Sequence, residues 1–195
     1  MSVRGRWHRY TGLIQRYFTR RVTFGKNVFF NGIADLNVHR DARVCLGDDV
    51  VLNSSNENYH ANMANSVKIM ADRPGAQITI GARTRLNGAC IHAWENVTIG
   101  ADCLMAAGVQ IMDANGHEIA PEDPASRNKR QDKPRPVVIG DAVWLGINVI
   151  VLPGATIGSG SVVGANSVVS GTIPPNVVAS GQPARPIRSL KPTIS

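Results

Sequence analysis

The stretch "IMDANGHEIAPED", residues 111–123, carries a histidine at the point where an otherwise regular six-residue rhythm stops. A histidine side chain is suited to proton transfer, because an imidazole with a reference pKa of about 6.5 accepts and releases a proton near neutral pH. The segment from Asp113 to Pro136 is rich in charge and proline, which is typical of a loop that projects from a regular scaffold. His117 is therefore the first candidate for chemistry in this sequence.

Other reactive or charged side chains give weaker signals. The three cysteines, Cys45, Cys90 and Cys103, show no close pairing, so neither a disulfide framework nor a CxxC zinc site is predicted. The net charge of +7 favours an anionic partner, which could be nucleic acid, an acidic membrane surface or a phosphorylated small molecule. The basic residues form three clusters, near the N-terminus, at 127–135 and at 185–191. No DNA- or RNA-binding pattern accompanies these clusters, so a nucleic-acid partner is not predicted. Solvated surface charge is the other explanation of each cluster.

The scaffold that must hold His117 is indicated by internal repeats. After residue 138 an aliphatic residue recurs every six positions, at Ile139, Leu145, Val151, Ile157, Val163 and Val169. The same frame is visible earlier in the chain, at Ile80, Leu86, Ile99, Met105 and Ile111, with looser echoes at Phe24 and Leu46. A period of six fits a short strand plus a tight corner, and three such units close a triangular coil. Stacked coils, with parallel strands about 4.8 Å apart, would form an all-β solenoid.

The ends of such a solenoid need covers, because each coil buries its aliphatic residues only against neighbouring coils. Residues 1–20 place apolar side chains at helical spacing, at Trp7, Tyr10, Ile14, Tyr17 and Phe18. An amphipathic helix that caps the first coil is predicted, and docking of the same face on an anionic membrane is the rival. The proline-containing tail from Gly171 is predicted to leave the solenoid.

The predicted parts are a helical segment 1–20, a solenoid domain 21–175 with its loop at 113–136, and a tail 176–195. No apolar run approaches the length of a membrane span, and no signal-peptide stretch is found at the N-terminus. A cytoplasmic location is therefore expected.

Several motifs together resemble the hexapeptide-repeat acyltransferases, within the group that contains maltose, galactoside and xenobiotic acetyltransferases. They are the hexads that begin [LIV]-G, the loop histidine, "VWLG" after the loop, "VGANSVV", and the closing "IPPNVVASGQPARPIR". The resemblance implies a left-handed parallel β-helix, although the general rule for parallel crossovers gives the opposite hand. It also implies a homotrimer with active sites between subunits.

The resemblance gives roles to two residues near the loop, His117 and Trp144, and the position of Asp113 suggests a role for a third. A histidine where the loop leaves the wall acts as general base in the resembling enzymes, and His117 matches it. Asp113, four residues earlier, or a backbone carbonyl would orient the imidazole. Trp144 matches the tryptophan that packs near the catalytic histidine; a large residue filling a solenoid corner is the alternative explanation.

The resemblance also implies a donor site for acetyl-CoA. Arg185 and Arg188 match positively charged contacts to the nucleotide end, and guanidinium groups suit phosphate. Ala165 matches a position whose backbone amide faces the pantetheine arm. Gly146 and Ser170 belong to the same expected groove.

The acceptor site departs from the sugar acetyltransferases, in which an asparagine and an aspartate precede the histidine. Alignment on "VTIG" places Leu86 and Trp94 at those positions, which argues against maltose or galactoside. The surrounding sequence looks more like the enzymes that O-acetylate surface polysaccharides or their precursors. The candidate acceptor-binding residues are Asn87, His92 and Trp94.

A metal is not predicted. Solenoid carbonic anhydrases bind zinc through three histidines, and their close pair would require a second histidine at position 122, where this chain has Glu122.

The sequence thus predicts an O-acetyltransferase that moves an acetyl group from acetyl-CoA to a hydroxyl of a sugar or surface-polysaccharide precursor. Direct transfer is expected, because none of the cysteines lies in the loop. A xenobiotic acetyltransferase of the chloramphenicol or streptogramin type is the nearest alternative. A non-catalytic β-helix that binds a ligand or partner is the alternative from another class.

Overall fold

The computed structural model describes residues 21–190 of the chain. The predicted helix over 1–20, with its capping or membrane-docking role, lies outside these residues. Over 21–190 the regular structure consists of β-strands and one short 3₁₀ helix, Pro124–Ser126. Within the same range no helix is long and apolar enough to cross a membrane.

Three sheets build the solenoid, and each complete coil adds one strand to each sheet. Sheet A contains β1 (Val22–Phe24), β4 (Arg43–Leu46), β7 (Gln77–Ile80), β10 (Asn96–Ile99), β13 (Val137–Ile139), β16 (Thr156–Ile157) and β19 (Thr172–Ile173). Sheet B contains β2 (Phe29–Asn31), β5 (Val51–Asn53), β8 (Arg85–Asn87), β11 (Leu104–Met105), β14 (Trp144–Leu145), β17 (Val162–Val163), β20 (Val177–Gly181) and β21 (Ala184–Ser189). Sheet C contains β3 (Asp35–Val38), β6 (Lys68–Ala71), β9 (Cys90–His92), β12 (Gln110–Met112), β15 (Ile150–Val151) and β18 (Val168–Val169).

The core consists of aliphatic ladders that run from coil to coil. Neighbouring strands are parallel, except for the antiparallel pair β20–β21. In sheet A, Ile99 lies beside Ile139, which lies beside Ile157. All six residues of the predicted run are buried: Ile139, Leu145, Val151, Ile157, Val163 and Val169. The predicted all-β solenoid is confirmed, and its parallel sheets are consistent with a left-handed β-helix.

A second, polar ladder lies at the end of the first three strands of sheet B. The Asn31 amide donates to Asn53 Oδ1 at 2.7 Å, and the Asn53 amide donates to Asn87 Oδ1 at 3.1 Å. The Asn87 amide ends the ladder on the Met105 carbonyl at 2.8 Å. Because Asn53 and Asn87 are buried, these bonds satisfy amides that would otherwise destabilise the wall.

The tail corrects one expectation. The chain does not leave the solenoid at Gly171, because β19 pairs with β16 and β20 pairs with β17, both in parallel. The two prolines responsible for the expectation, Pro174 and Pro175, lie between β19 and β20, where a corner needs no ladder N–H. The chain turns back only after Gly181, when β21 runs antiparallel along β20.

Two loops interrupt the wall at different corners. The 113–136 loop joins β12 to β13 and lies on the C–A edge, the column of turns that connect sheet C to sheet A. The 54–67 loop joins β5 to β6 and lies on the B–C edge, the column of turns that connect sheet B to sheet C.

Candidate functional site

His117 is exposed on the 113–136 loop, and its ring is held by the backbone. Nδ1 lies 2.9 Å from the Arg127 carbonyl oxygen. A carbonyl only accepts hydrogen bonds, so this contact assigns the proton of the neutral ring to Nδ1 and leaves the Nε2 lone pair available. The Arg127 guanidinium donates through Nε to the Ile119 carbonyl at 2.7 Å and so ties the two sides of the loop together. This geometry suits a general base.

Asp113 has a different role from the predicted one. Its side chain is buried and accepts three backbone N–H bonds at 2.8 Å each, from Trp94 to Oδ1 and from Glu95 and Asn96 to Oδ2. Its own carbonyl accepts from the Arg135 N–H at 2.7 Å, which closes the base of the loop. Both carboxylate oxygens are therefore occupied by the preceding turn. The suggestion that Asp113 orients His117 is corrected: the Arg127 carbonyl does so, the alternative that the sequence left open.

Next to Asp113, the C–A edge carries a cluster of polar and aromatic side chains. His92 Nε2 lies 3.0 Å from Asp72 Oδ1, and its ring meets Trp94 edge-on at 6.0 Å between centroids. The Arg73 guanidinium lies over the Trp94 ring, 4.5 Å from its centroid. One face of Trp94 is thus covered by Arg73, so a sugar could stack only on the other. His92 and Trp94 lie one coil below the loop that carries His117.

A groove of about 550 Å³ lies on the outer face of sheet B and along the B–C edge. It is lined by Asn58, Tyr59, His60, Arg85, Asn87, Leu104, Ala106, Trp144, Gly146, Ile147, Val162, Val163, Gly164 and Ala165. Arg85, Leu104 and Trp144 follow one another in register on β8, β11 and β14, and Trp144 is 49% exposed. Most of the lining is apolar or backbone, which suits a long thin ligand with few polar groups.

The basic tail extends this groove at one end. Val162 pairs with Val178 on β20, Val178 pairs with Arg188 on β21, and Ser180 pairs with Arg185. Paired residues share a face of a sheet, so both arginines occupy outward positions in line with the groove. The structure thus aligns an apolar channel with a positively charged end.

The predicted site residues fall into two groups on this chain. Trp144, Gly146, Ala165 and Asn87 line the groove, and Arg185 and Arg188 extend it. Asp113, His117, His92, Trp94 and Ser170 belong to the C–A edge, because each follows or ends a strand of sheet C. Asn87 is corrected as a free acceptor contact, since its amide is buried and committed to the polar ladder.

Tyr59 and His60 are groove residues that the sequence reasoning missed. No motif in the sequence indicates a site at His60. The available signal was the gap in the hexads across "LNSSNENYHANMANS", where the 54–67 loop leaves the wall.

Cys90 is half-buried and Cys103 is buried in the solenoid. Burial raises the pKa of the Cys90 and Cys103 thiols above its ordinary value. Over residues 21–190, no three His, Cys, Asp or Glu side chains group as metal ligands would.

Comparison with known proteins identifies the family. Residues 136–171 match the model of the bacterial transferase hexapeptide, six repeats. The Escherichia coli (strain K12) protein WbbJ, assigned to lipopolysaccharide biosynthesis as an O-acetyltransferase, is 38% identical over 157 residues, which span 77% of this chain and 80% of WbbJ. The chain belongs to the hexapeptide-repeat transferase family.

Solved structures of hexapeptide-repeat acetyltransferases agree with this assignment. A Vibrio cholerae O1 biovar eltor acetyltransferase in complex with acetyl-CoA is 37% identical, with a TM-score of 0.53 over 58% of this chain and 61% of its own. A galactoside acetyltransferase in complex with coenzyme A is 29% identical, with a TM-score of 0.61 over 93% of this chain and 70% of its own. The prediction of an acyl-CoA-dependent acetyltransferase is confirmed, with acetyl-CoA as the donor.

Proposed function

We propose that this hexapeptide-repeat transferase O-acetylates a hydroxyl of a sugar or surface-polysaccharide precursor, with His117 as general base. The observation that carries the proposal is the bond between His117 Nδ1 and the Arg127 carbonyl, because it leaves Nε2 free to accept a proton. A sugar acceptor is supported by the lipopolysaccharide assignment of WbbJ and by the galactoside acetyltransferase, both of which resemble this chain over most of its length.

The complete site requires a second copy of the chain. His117 lies on the C–A edge, whereas the groove with Trp144 lies on the outer face of sheet B. Large apolar side chains stand exposed on that face, at Phe29, Leu104 and Trp144. Such a row favours burial against another subunit. In a homotrimer, the C–A edge of one subunit would cover the groove of the next and bring His117 to Trp144.

The donor would lie along the groove with its phosphates at Arg185 and Arg188. Gly146 and Ala165 would flank the pantetheine arm, and the thioester would reach Trp144. Three strand steps separate β21 from β14, or about 14 Å. Ser170 shares the C–A edge with His117 two coils further on, so it would meet the donor from the neighbouring subunit.

Direct transfer then needs only positioning and one proton carrier. His117 Nε2 accepts the acceptor hydroxyl proton as the oxygen attacks the thioester carbonyl carbon. When the carbon–sulfur bond breaks, the leaving thiolate takes that proton from Nε2. The Arg127 carbonyl accepts the Nδ1 hydrogen bond throughout and stabilises the imidazolium between the two transfers.

A subunit-mixing experiment tests the base and the shared site together. His117→Ala should lower turnover by about 100- to 10,000-fold without changing the melting temperature or acetyl-CoA binding. His39→Ala, which removes an imidazole from the first coil, is the matched control and should keep turnover. Acetylation of a mixed pool of sugars is read by mass spectrometry. More than a tenth of wild-type turnover in His117→Ala would remove His117 from the mechanism.

The second arm mixes His117→Ala with Trp144→Ala chains during refolding. If each site joins the loop of one subunit to the groove of its neighbour, random trimers contain intact sites and regain up to about a quarter of wild-type turnover. Mixed trimers without any recovery would contradict the shared site and leave the base assignment standing.

A further inference from the structure

The end of the groove opposite the arginines is walled by the 54–67 loop. The rings of Tyr59 and His60 lie 4.8 Å apart between centroids and are tilted by 51°. Two hydrogen bonds link the sides of the loop that presents them: the Met63 N–H donates to Asn56 Oδ1 at 2.7 Å, and the Asn56 amide donates to the Met63 carbonyl at 2.9 Å. Met63 is buried against Gly88, where any Cβ would collide with the Met63 side chain.

Arg85 on β8 faces the same end of the groove. Its Nε donates to Asn87 Oδ1 at 3.1 Å, so the base of the guanidinium is anchored on the polar ladder while its terminal N–H groups are left for other contacts. Over residues 21–190 Arg85 forms no ion pair, although Arg83, two positions earlier, binds Asp102 through two bonds of 2.6 and 2.7 Å. An anchored, exposed cation without a carboxylate partner suits recognition of an anion.

The position of Arg85 relative to Trp144 indicates which of the two substrates Arg85 would contact. Under the proposed function, on which this inference rests, the donor enters from Arg185 and Arg188 and its thioester ends at Trp144. Arg85 lies two strand steps past Trp144, or about 10 Å, on the side away from those arginines. That part of the groove is left for the acceptor.

We propose that Arg85, Tyr59 and His60 form the acceptor subsite and select an acceptor that carries a carboxylate or phosphate on its sugar. The Arg85 fork binds the anion, and the two rings supply apolar faces with polar edges, which suit the mixed surface of a sugar. The acceptor class is therefore an acidic or phosphorylated glycan unit.

Three matched acceptors test this selection: a neutral hexose glycoside, the corresponding uronic acid and the corresponding sugar phosphate. The wild-type enzyme should acetylate at least one anionic acceptor with a kcat/KM about 10- to 100-fold above that of the neutral one. The uronic acid and phosphate arms identify which anion is used. Tyr59→Ala should lower kcat/KM for neutral and anionic acceptors alike, because the ring would contact the sugar of both.

Arg85→Gln should abolish the anionic preference and leave the KM for acetyl-CoA unchanged, since glutamine can still donate to Asn87. Arg83→Gln removes the same charge outside the groove and should keep the preference. If the preference for anionic acceptors survives in Arg85→Gln, or if the wild-type enzyme favours the neutral acceptor, this inference is wrong. The proposed function would still stand in either case. Failure to bind acetyl-CoA or acetylate any sugar overturns the proposed function and, with it, the inference.

Discussion

Replacing Asp113 by asparagine separates an anchoring role from a catalytic one. The buried carboxylate accepts one N–H at Oδ1 and two at Oδ2, all from the turn at residues 94–96. Asparagine keeps one acceptor oxygen and turns an NH₂ group toward the remaining donors, so one or two charge-assisted bonds are lost. At about 1.5–3 kcal/mol for each bond, the free energy of unfolding should fall by roughly 2–6 kcal/mol.

Urea unfolding of Asp113→Asn measures this loss directly. Asp123→Asn is the control, because it removes the same charge from an exposed position in the same loop. Turnover of Asp113→Asn should fall because the loop is misplaced, whereas the pH profile of kcat/KM should keep its shape because the Arg127 carbonyl still holds His117. If Asp113→Asn kept wild-type stability but shifted the pH profile of kcat/KM, the reasoning would be refuted. Asp113 would then be the residue that orients His117.

Two further predictions concern the donor end and the thiols. Alanine at both Arg185 and Arg188 should raise the KM for acetyl-CoA and leave the KM for the acceptor nearly unchanged. Dephospho-CoA donors, which lack one phosphate, should then no longer be at a disadvantage. An unchanged KM for acetyl-CoA with unchanged salt dependence would mean that these arginines are only solvated surface charge. Because burial raises the pKa of Cys90 and Cys103 in the folded chain, their contribution to stability is complete below the pKa of the unfolded thiol, about 8.5, and declines as the pH rises above it. The unfolding free energy of wild type should therefore decrease more steeply than that of Cys103→Ala over that range, and equal slopes would contradict the assignment.

The solenoid was predictable because its core follows a local rule. One inward aliphatic residue in every six, such as Ile139 or Val163, predicts where a strand lies. The same spacing predicts which strands pair in neighbouring coils. The loop that carries His117 was predictable for the same reason, since a loop is most visible where the repeats on both sides are strict. The 54–67 loop was missed because the hexads around it are loose, so the gap that contains Tyr59 had no regular flanks.

The remaining differences depend on backbone geometry that a side-chain pattern does not encode. Asp113 binds a turn 17 to 19 residues earlier, which becomes its neighbour only when the coil closes. In the sequence, Asn87 lies next to a position that binds sugar in the resembling enzymes. In the structure, its side chain at the end of β8 is buried and joins the polar ladder. Pro174 and Pro175 suggest the end of the solenoid in the sequence, although the corner between β19 and β20 accommodates both.

The placement of the two loops on different coils has an evolutionary consequence. In a stack where each coil contacts only its neighbours, a loop can lengthen or change at one corner without disturbing strands several coils away. The regular hexads from Ile139 onward and the β20–β21 pair carry the residues proposed for the donor, whereas the loops that begin after Asn53 and Met112 carry the residues proposed for the acceptor and for proton transfer. Under the proposed assignment, a new acceptor can be acquired by exchange of one loop while the coil residues proposed for coenzyme binding stay the same. Chimaeras that exchange residues 54–67 between relatives should therefore transfer acceptor choice.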